Sequence, residues 1–161
     1  MSQFLPREFN LMKNQLKHDE GFRPTVYTCT QGVKTVGYGR NIKANWFTDD
    51  EVLEIIEHEG ISKDLAQKWL VESLNELLEQ LDEKLECFGE LNVPRKAVLV
   101  NMAYNIGIKG LMGFKKMLAA IDDNDFEKAA SEMLDSRWAN QVPIRAQRLT
   151  KQMRSGNWVG F

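Results

Sequence analysis

Residues 18 to 40, HDEGFRPTVYTCTQGVKTVGYGR, constrain the fold of this chain more than any other segment. Three apolar residues recur before and into it at three- and four-residue spacing: Phe9, Met12 and Leu16. This spacing predicts an amphipathic helix over residues 7 to 20. Gly21 is a typical residue to follow the last helical turn, because glycine adopts a left-handed backbone without strain. The segment therefore predicts a helix that ends on a carboxylic acid, Glu20.

Glu20 is a candidate general acid. A carboxyl group in the last turn of a helix faces the negative end of the helix dipole, which favours its protonated form. Protonation is what a general acid needs, for example in the cleavage of a bond between two sugars. The residues alone leave a second interpretation open, in which this segment is only a helix, a hairpin and some turn glycines.

A β-hairpin is predicted directly after this helix. Two runs are rich in β-branched and aromatic residues: residues 25 to 29 and residues 33 to 38. Residues 30 to 32 would form a three-residue loop between them. If Cys29 pairs with Val33, then Tyr27 pairs with Thr35, and the odd-numbered residues of both strands share one face. Cys29 and Thr35 are then expected to project together.

Two glycines flank Tyr38 where the hairpin ends, Gly37 and Gly39. A glycine within or beside a strand often marks a place where another group approaches the backbone closely. We expect a bulky ligand to make that approach here.

The rest of the chain shows helical periodicity, which predicts a predominantly helical α+β fold. Thr48 followed by Glu51 forms a capping box that opens a short helix, which Gly60 ends. A long helix is predicted over about residues 62 to 86, with Ser62 at its start. Further helices are predicted around the apolar run at residues 97 to 103 and from Asp125 onward.

The formal charge of −2 hides a strong asymmetry. Residues 49 to 90 carry 14 acidic and 3 basic side chains, whereas the remainder carries 9 acidic and 18 basic ones. The acidic residues are interpreted as a solvated helix face. An alternative is that the basic remainder attracts an anionic polymer. No nucleic-acid partner is predicted, because the chain is acidic overall and the cations near its end alternate with apolar residues.

Cysteine and histidine usage predicts neither a disulfide nor a metal site. Cys29 and Cys87 lie far apart in a chain without a recognisable secretion signal, so both are expected to be thiols. His18 and His58 make no metal-ligand spacing, and no cofactor is predicted. No apolar run approaches the roughly 20 residues that span a bilayer. A cytoplasmic chain without stable membrane insertion is expected, and a monomer, since no leftover apolar stripe suggests a partner surface.

Glu20, Cys29 after eight intervening residues and Thr35 after five more resemble the active-site spacing of the bacteriophage lysozymes, or endolysins. These phage-type muramidases have Glu, Asp or Cys, and Thr at the three positions. The resemblance continues over residues 95 to 118, and again over residues 136 to 148 followed by residues 154 to 158. It is weakest over residues 42 to 60.

The resemblance implies a single lysozyme domain with two lobes. Its parts are a small hairpin lobe at about residues 21 to 60, the long helix as connector, and a helical C-terminal lobe at about residues 91 to 161. It also implies hydrolysis of the β-1,4 bond between N-acetylmuramic acid and N-acetylglucosamine in peptidoglycan. Glu20 would be the general acid, with Cys29 and Thr35 positioning water.

Three further residues and a biological setting follow from the same resemblance. Tyr104 and Asn105 are expected to bind the saccharide, and Arg145 to pair with the catalytic glutamate. The enzyme would accumulate in the cytoplasm of an infected bacterium and reach the cell wall with the help of a holin-type membrane protein. Met117 and Glu132 stand where the best-known phage lysozyme has small polar side chains, so substrate contacts are not carried over to them.

The thiol of Cys29 departs from the carboxylate version of the family. A thiol with a reference pKa of about 8.5 is mostly protonated at neutral pH and is a poor base. Its role stays open between base, water positioning and thiolate charge. Two other functions stay open with it: a lytic transglycosylase, which needs one acid and leaves 1,6-anhydro ends, and a cell-wall-binding protein without catalysis.

Overall fold

The computed structural model describes residues 4–29 and 32–161, which are mostly helical with one small antiparallel sheet. In chain order the helices are α1 (Pro6–Glu20), α2 (Asp49–Glu57), α3 (Lys63–Lys84), α4 (Val93–Met112), α5 (Lys115–Asp122), α6 (Phe126–Leu134), α7 (Arg137–Gln141) and α8 (Pro143–Ser155). A 3-10 helix, Glu86–Glu90, precedes α4. The strands are β1 (Arg23–Thr28), β2 (Lys34–Gly37) and β3 (Arg40–Asn41), hydrogen-bonded in that order. The predicted fold class is confirmed.

The chain divides into two compact units. One comprises residues 9–75; the other comprises the described residues up to Glu8 together with Glu76–Phe161. We call them the hairpin unit and the helical unit. The boundaries fall inside α1 and α3, so each of these helices contributes residues to both units.

In the hairpin unit, α1 ends where the sequence predicts. Met12 and Leu16 are buried, as their spacing requires. The Gly21 amide donates to the Lys17 carbonyl at 3.0 Å, and Gly21 has a φ of +66°, so only a residue without Cβ ends the helix here without strain. Glu20 is the last residue of α1.

The hairpin has the predicted register. Tyr27 is paired with Thr35, and the Cys29 amide donates to the Val33 carbonyl at 2.9 Å. The predicted loop includes residues 30 and 31, which lie outside the described residues. The sequence did not predict the short strand β3, which pairs with β2.

Local caps fix the next two helices. The Thr48 side chain accepts from the Glu51 amide while the Glu51 carboxylate accepts from the Thr48 amide, which is the predicted capping box. The Ser62 hydroxyl accepts from the Leu65 amide at 3.1 Å and so begins α3. Both caps are local features that a sequence pattern predicts well.

The core of the helical unit is α4, whose central residues are buried on nearly all sides. Gly107 interrupts α4 with a φ of +81° and a ψ of 161°. Asp125 begins α6 by accepting from the Lys128 amide at 3.0 Å, as predicted. Within residues 4–29 and 32–161, no single helix is long and apolar enough to cross a membrane; α4 and α5 meet that criterion only as a pair, bent by 96°.

Candidate functional site

The carboxyl group of Glu20 lies against the backbone of Gly39. A Cβ atom placed on Gly39 would stand 3.0 Å from Glu20 Cδ and 2.6 Å from Glu20 Oε2, and the second distance is shorter than real Cβ contacts. Gly39 also has a φ of +71°, which side chains other than glycine rarely adopt. The position therefore requires glycine both for its backbone and for the space that the carboxyl group occupies.

Both hairpin glycines admit groups of the protein, and the expected approach of a bulky ligand to them stays a prediction. Gly39 admits the carboxyl group of Glu20. Gly37 admits α3, since its added Cβ would lie 3.2 Å from the Cβ of Ala66 and 3.9 Å from the ring of Trp69. Both close approaches are made by the protein itself, and they join the end of the hairpin to α1 and α3.

A buried polar cluster holds β3 directly after Gly39. The guanidinium of Arg40 lies 4.5 Å from the centre of the Trp69 ring, and Phe47 stacks on the same ring at 5.6 Å. The indole nitrogen of Trp69 donates to Glu51 Oε2. Arg40 is thereby fixed to α3, and with it the neighbouring glycine that supports Glu20.

The capping carboxylate of Glu51 is ionised within this cluster. Burial raises the pKa of Glu51, but the hydrogen bonds from Thr48 and Trp69 and the charge of Arg40 outweigh it, so the pKa lies below its usual value. Glu51 is nearly as inaccessible as a core residue. The cluster is thus a charged, hydrogen-bonded support beside the candidate acid.

Thr35 and Cys29 lie on the hairpin as the sequence predicts. Thr35 is 4% exposed, and its hydroxyl donates to the Val33 carbonyl at 2.9 Å. A hydroxyl has one proton, so with that proton committed the Thr35 oxygen can only accept from a further group. Cys29 is half-buried and carries a thiol.

Tyr27 joins this group, although the sequence marked it only as a strand residue. The guanidinium of Arg23 lies 4.6 Å from the centre of its ring. Burial raises the pKa of Tyr27, and the nearby Glu20 carboxylate and Cys29 raise it further, while Arg23 lowers it. These interactions place the phenol of Tyr27 within electrostatic reach of both Glu20 and Cys29.

In the helical unit, the two predicted saccharide-binding residues lie just before the break at Gly107. Tyr104 and Asn105 are both half-buried. The indole nitrogen of Trp138 donates to Asn105 Oδ1 at 2.8 Å. Because an indole N–H is only a donor, this bond fixes which way the amide faces and turns its NH₂ group away from Trp138. Sequence reasoning missed Trp138, which is 33 residues from its partner.

A pocket of about 570 Å³ lies in the same unit. Its apolar part includes Phe114, Met117 and Trp138, with the rings of Phe114 and Trp138 packed edge to face at 6.3 Å. Glu132, the second departure from the best-known phage lysozyme, also lines it. The two departures therefore lie in one pocket.

Arg145 lies on α8 and is buried. Its Nε donates to Asn101 Oδ1 at 2.8 Å and its Nη2 to the Asn101 carbonyl at 3.4 Å, which fixes the guanidinium against α4. The pairing of Arg145 with Glu20 that the resemblance implies stays a prediction.

Cys87 carries a thiol, and its pKa is raised to about 12 by burial and by the neighbouring carboxylate of Asp122. That thiol is inert at neutral pH. Among the residues that the structure describes, no group of three or more His, Cys, Asp or Glu side chains could hold a metal ion.

Comparison with known proteins decides the family. The family model for phage lysozyme matches residues 17–154. The chain belongs to the phage lysozyme family. The match contains every candidate residue named above in both units, from Glu20 to Arg145. As in other members of the family, the activity is that of a lysozyme, a glycoside hydrolase of the muramidase type that acts on the cell wall.

Several curated relatives are similar to this chain in sequence. "Probable T4-type lysozyme 2" of Dictyostelium discoideum is 30% identical over 90% of this chain and 94% of the relative. "Probable T4-type lysozyme 1" of the same organism is 27% identical with the same coverage. The "Pre-baseplate central spike protein Gp5" of Enterobacteria phage T4 is 29% identical over 93% of this chain, which corresponds to 28% of that longer protein. The similarity thus covers nearly the whole length of the two Dictyostelium relatives and about a quarter of the phage relative.

Proposed function

We propose that Glu20 is the general acid of this lysozyme and that Cys29 and Thr35 hold the attacking water. The observation that carries the proposal is the close contact of the Glu20 carboxyl group with Gly39, at the end of the hairpin. The register of this hairpin pairs Tyr27 with Thr35, so that Tyr27, Cys29 and Thr35 share one face. The bond cleaved is the β-1,4 linkage between N-acetylmuramic acid and N-acetylglucosamine. Glu20 protonates the departing glycosidic oxygen.

The hydrogen bonds of Thr35 suit it to hold water. Its proton is committed to the Val33 carbonyl, so its oxygen accepts a hydrogen bond that the water donates. That water keeps a lone pair for attack on the sugar carbon, and as the new bond forms it gives up one proton to the surrounding solvent. Solvent returns a proton to the Glu20 carboxylate after the products leave. A thiol at Cys29 contributes a weak donor and acceptor on the same face, and positioning is the role we assign to it.

Substitution of Cys29 tests this role. Cys29→Ser keeps a small hydrogen-bonding group but cannot form an anion near neutral pH, so the variant should keep near-normal activity on purified peptidoglycan. Cys29→Ala removes the hydrogen bonds and should be slower. If Cys29→Ser is as inactive as Cys29→Ala, an ionised sulfur is required and the positioning role is wrong.

Product chemistry tests the reaction itself. Hydrolysis leaves a reducing muramic acid end on each released muropeptide, whereas transglycosylation closes the sugar on itself and leaves a 1,6-anhydro end. Mass analysis of the digest should show reducing ends only. A digest of anhydro ends would replace the water-positioning mechanism with an intramolecular one.

We propose that Tyr104 and Asn105 bind the saccharide substrate of this lysozyme. The bond from Trp138 leaves the amide NH₂ of Asn105 as a donor, which suits the carbonyl oxygen of an N-acetyl group. Asn105→Ala should raise KM more than it lowers kcat. A lower kcat with an unchanged KM would contradict a binding role for Asn105.

The biological role is that of an endolysin. Support comes from the match to the phage lysozyme family and from the source of one relative, Enterobacteria phage T4. The enzyme collects in the bacterial cytoplasm as a monomer and reaches the wall through a holin-type membrane protein. Expression in a bacterium should give no lysis until the inner membrane is permeabilised, and prompt lysis without permeabilisation would contradict this dependence.

A further inference from the structure

Helix α2 presents an apolar stripe to solvent. Val52 is 41% exposed, Leu53 65% and Ile56 69%, and their spacing puts all three on one side of the helix. Trp46, two residues before the cap of α2, is 78% exposed. Apolar residues gathered in this way mark interaction surfaces more often than scattered ones do. This stripe corrects the expectation that the chain leaves no apolar face uncovered.

Acidic side chains border the stripe. Asp50 precedes Leu53 by three residues and Glu57 follows it by four, so both lie beside it on the helix, and both are exposed. A third acidic residue, Asp49, lies at the N-terminal end of the stripe. From residue 49 to residue 59 the chain has six acidic residues and neither lysine nor arginine.

Packing within the hairpin unit does not explain why these apolar side chains of α2 are exposed. The opposite side of α2 already packs into the hairpin unit through Glu51, which bonds to Trp69. The stripe also lies in residues 42 to 60, the segment that least resembles the family.

We propose that this α2 stripe is a docking surface for a basic amphipathic helix of another protein. An apolar stripe bordered by acids is complementary to an apolar stripe bordered by lysine or arginine. A second copy of the chain does not fit, because a two-fold contact sets the same acidic border against itself. An anionic lipid surface does not fit for the same electrostatic reason.

The probe for this surface is a synthetic leucine–lysine peptide about five turns long, with leucines at helical spacing. Two peptides serve as controls: one with the same composition in scrambled order, and one with glutamate in place of lysine. Calorimetry gives the affinity for the whole protein, and amide NMR shifts locate the contact. We expect that only the amphipathic basic peptide binds and that the amide shifts are centred on residues 46–57. Salt should weaken this binding.

Two sets of variants separate the contributions. Leu53→Ser/Ile56→Ser should weaken peptide binding about tenfold or more, because most of the buried apolar area is lost. Ile144→Ser, which removes an apolar side chain of 82% exposure on α8, is the matched control and should change nothing. Asp50→Asn/Glu57→Gln should weaken binding and reduce its salt dependence, whereas Glu79→Gln on α3 should not.

Several outcomes overturn the proposal. Equal binding of the scrambled or glutamate peptide would show that the helical stripe or its charge is not recognised. Shifts outside residues 46–57 would place the contact elsewhere. Concentration-dependent dimerisation that Leu53→Ser/Ile56→Ser abolishes would make a second copy the occupant of this face.

Discussion

At the scale of single residues, two positive-φ glycines of the hairpin have different neighbours. Gly39 has a φ of +71° and touches the carboxyl group of Glu20, whereas Gly32 has a φ of +77° and nothing within 4 Å of an added Cβ. Alanine at either position costs about 1 to 2 kcal/mol of backbone strain. Only at Gly39 does it also displace the candidate acid.

Gly39→Ala should therefore lower the lytic rate about 10²-fold, the loss expected when a catalytic group is misplaced by an ångström. Gly32→Ala is the matched control, with a similar loss of thermal stability and a near-normal rate. The check is turbidity loss of purified peptidoglycan beside a thermal melt of each variant. Equal rates in the two variants would mean that the seat of Glu20 on Gly39 is not needed for activity.

Tyr27 reports on the charge of Glu20 without any assay of activity. Burial, and then the Glu20 carboxylate, raise the pKa of Tyr27 above 10.0, because a negative neighbour opposes formation of phenolate. Glu20→Gln should lower that pKa while burial keeps it above the ordinary value. Ultraviolet titration of phenolate measures it, with Tyr27→Phe assigning the signal. An unchanged Tyr27 titration would contradict the proximity of the two groups.

At the scale of elements, the cluster of Glu51, Trp69 and Arg40 joins β3, α2 and α3. The pKa of Glu51 is lower in the folded chain than the ordinary glutamate value of 4.5. A depressed carboxyl pKa adds stability above the unfolded value, and this stability is lost as pH falls through the folded value. Glu51→Gln cannot lose it.

The melting temperatures of the wild type and Glu51→Gln should therefore differ most near neutral pH and converge below pH 4.5. The wild type should be the more stable at neutral pH, because an ionised acceptor bonds the Trp69 indole more strongly than an amide does. A constant difference over the whole range would show that ionisation of Glu51 does not support the fold.

Elements with local signals were the ones that the sequence predicted. The Thr48 and Ser62 caps each depend on residues three apart, and the end of α1 depends on Gly21 alone. Strand β3 is two residues long and exists because β2 pairs with it, so no periodicity announces it. The contacts that the sequence did not predict likewise depend on residues that lie far apart in the chain.

The candidate site divides in the same way. Glu20, Cys29 and Thr35 were found from their spacing and the family resemblance. The role of Gly39 depends on a helix 19 residues earlier, and that of Trp138 on Asn105, 33 residues earlier. The α2 stripe was missed because its period matches that of a buried face, and sequence alone does not say which face is covered.

At the scale of the whole molecule, charge segregation predicts a salt dependence. Residues 49 to 90 carry 11 more acidic than basic side chains, and the remainder carries 9 more basic than acidic ones. An anionic cell-wall polymer is attracted by the basic part at long range only in low salt, since the screening length falls from about 30 Å at 0.01 M to about 3 Å at 1 M. The lytic rate on peptidoglycan should therefore fall as the salt concentration rises.

The control is a short neutral chitin oligosaccharide, on which the rate should not depend on salt if this lysozyme cleaves it. Initial rates over a salt series on both substrates make the comparison. A salt-independent rate on peptidoglycan would exclude electrostatic attraction of the polymer.

The measurement that tests the central claim most directly is lysis of purified peptidoglycan by wild type, Glu20→Gln and Glu79→Gln. General-acid catalysis contributes about 10²- to 10⁴-fold to a rate. Glu20→Gln should lose about 10³-fold, whereas Glu79→Gln, which replaces an exposed carboxylate of α3, should match the wild type. A Glu20→Gln protein that is folded and lyses the wall at the wild-type rate would contradict the account.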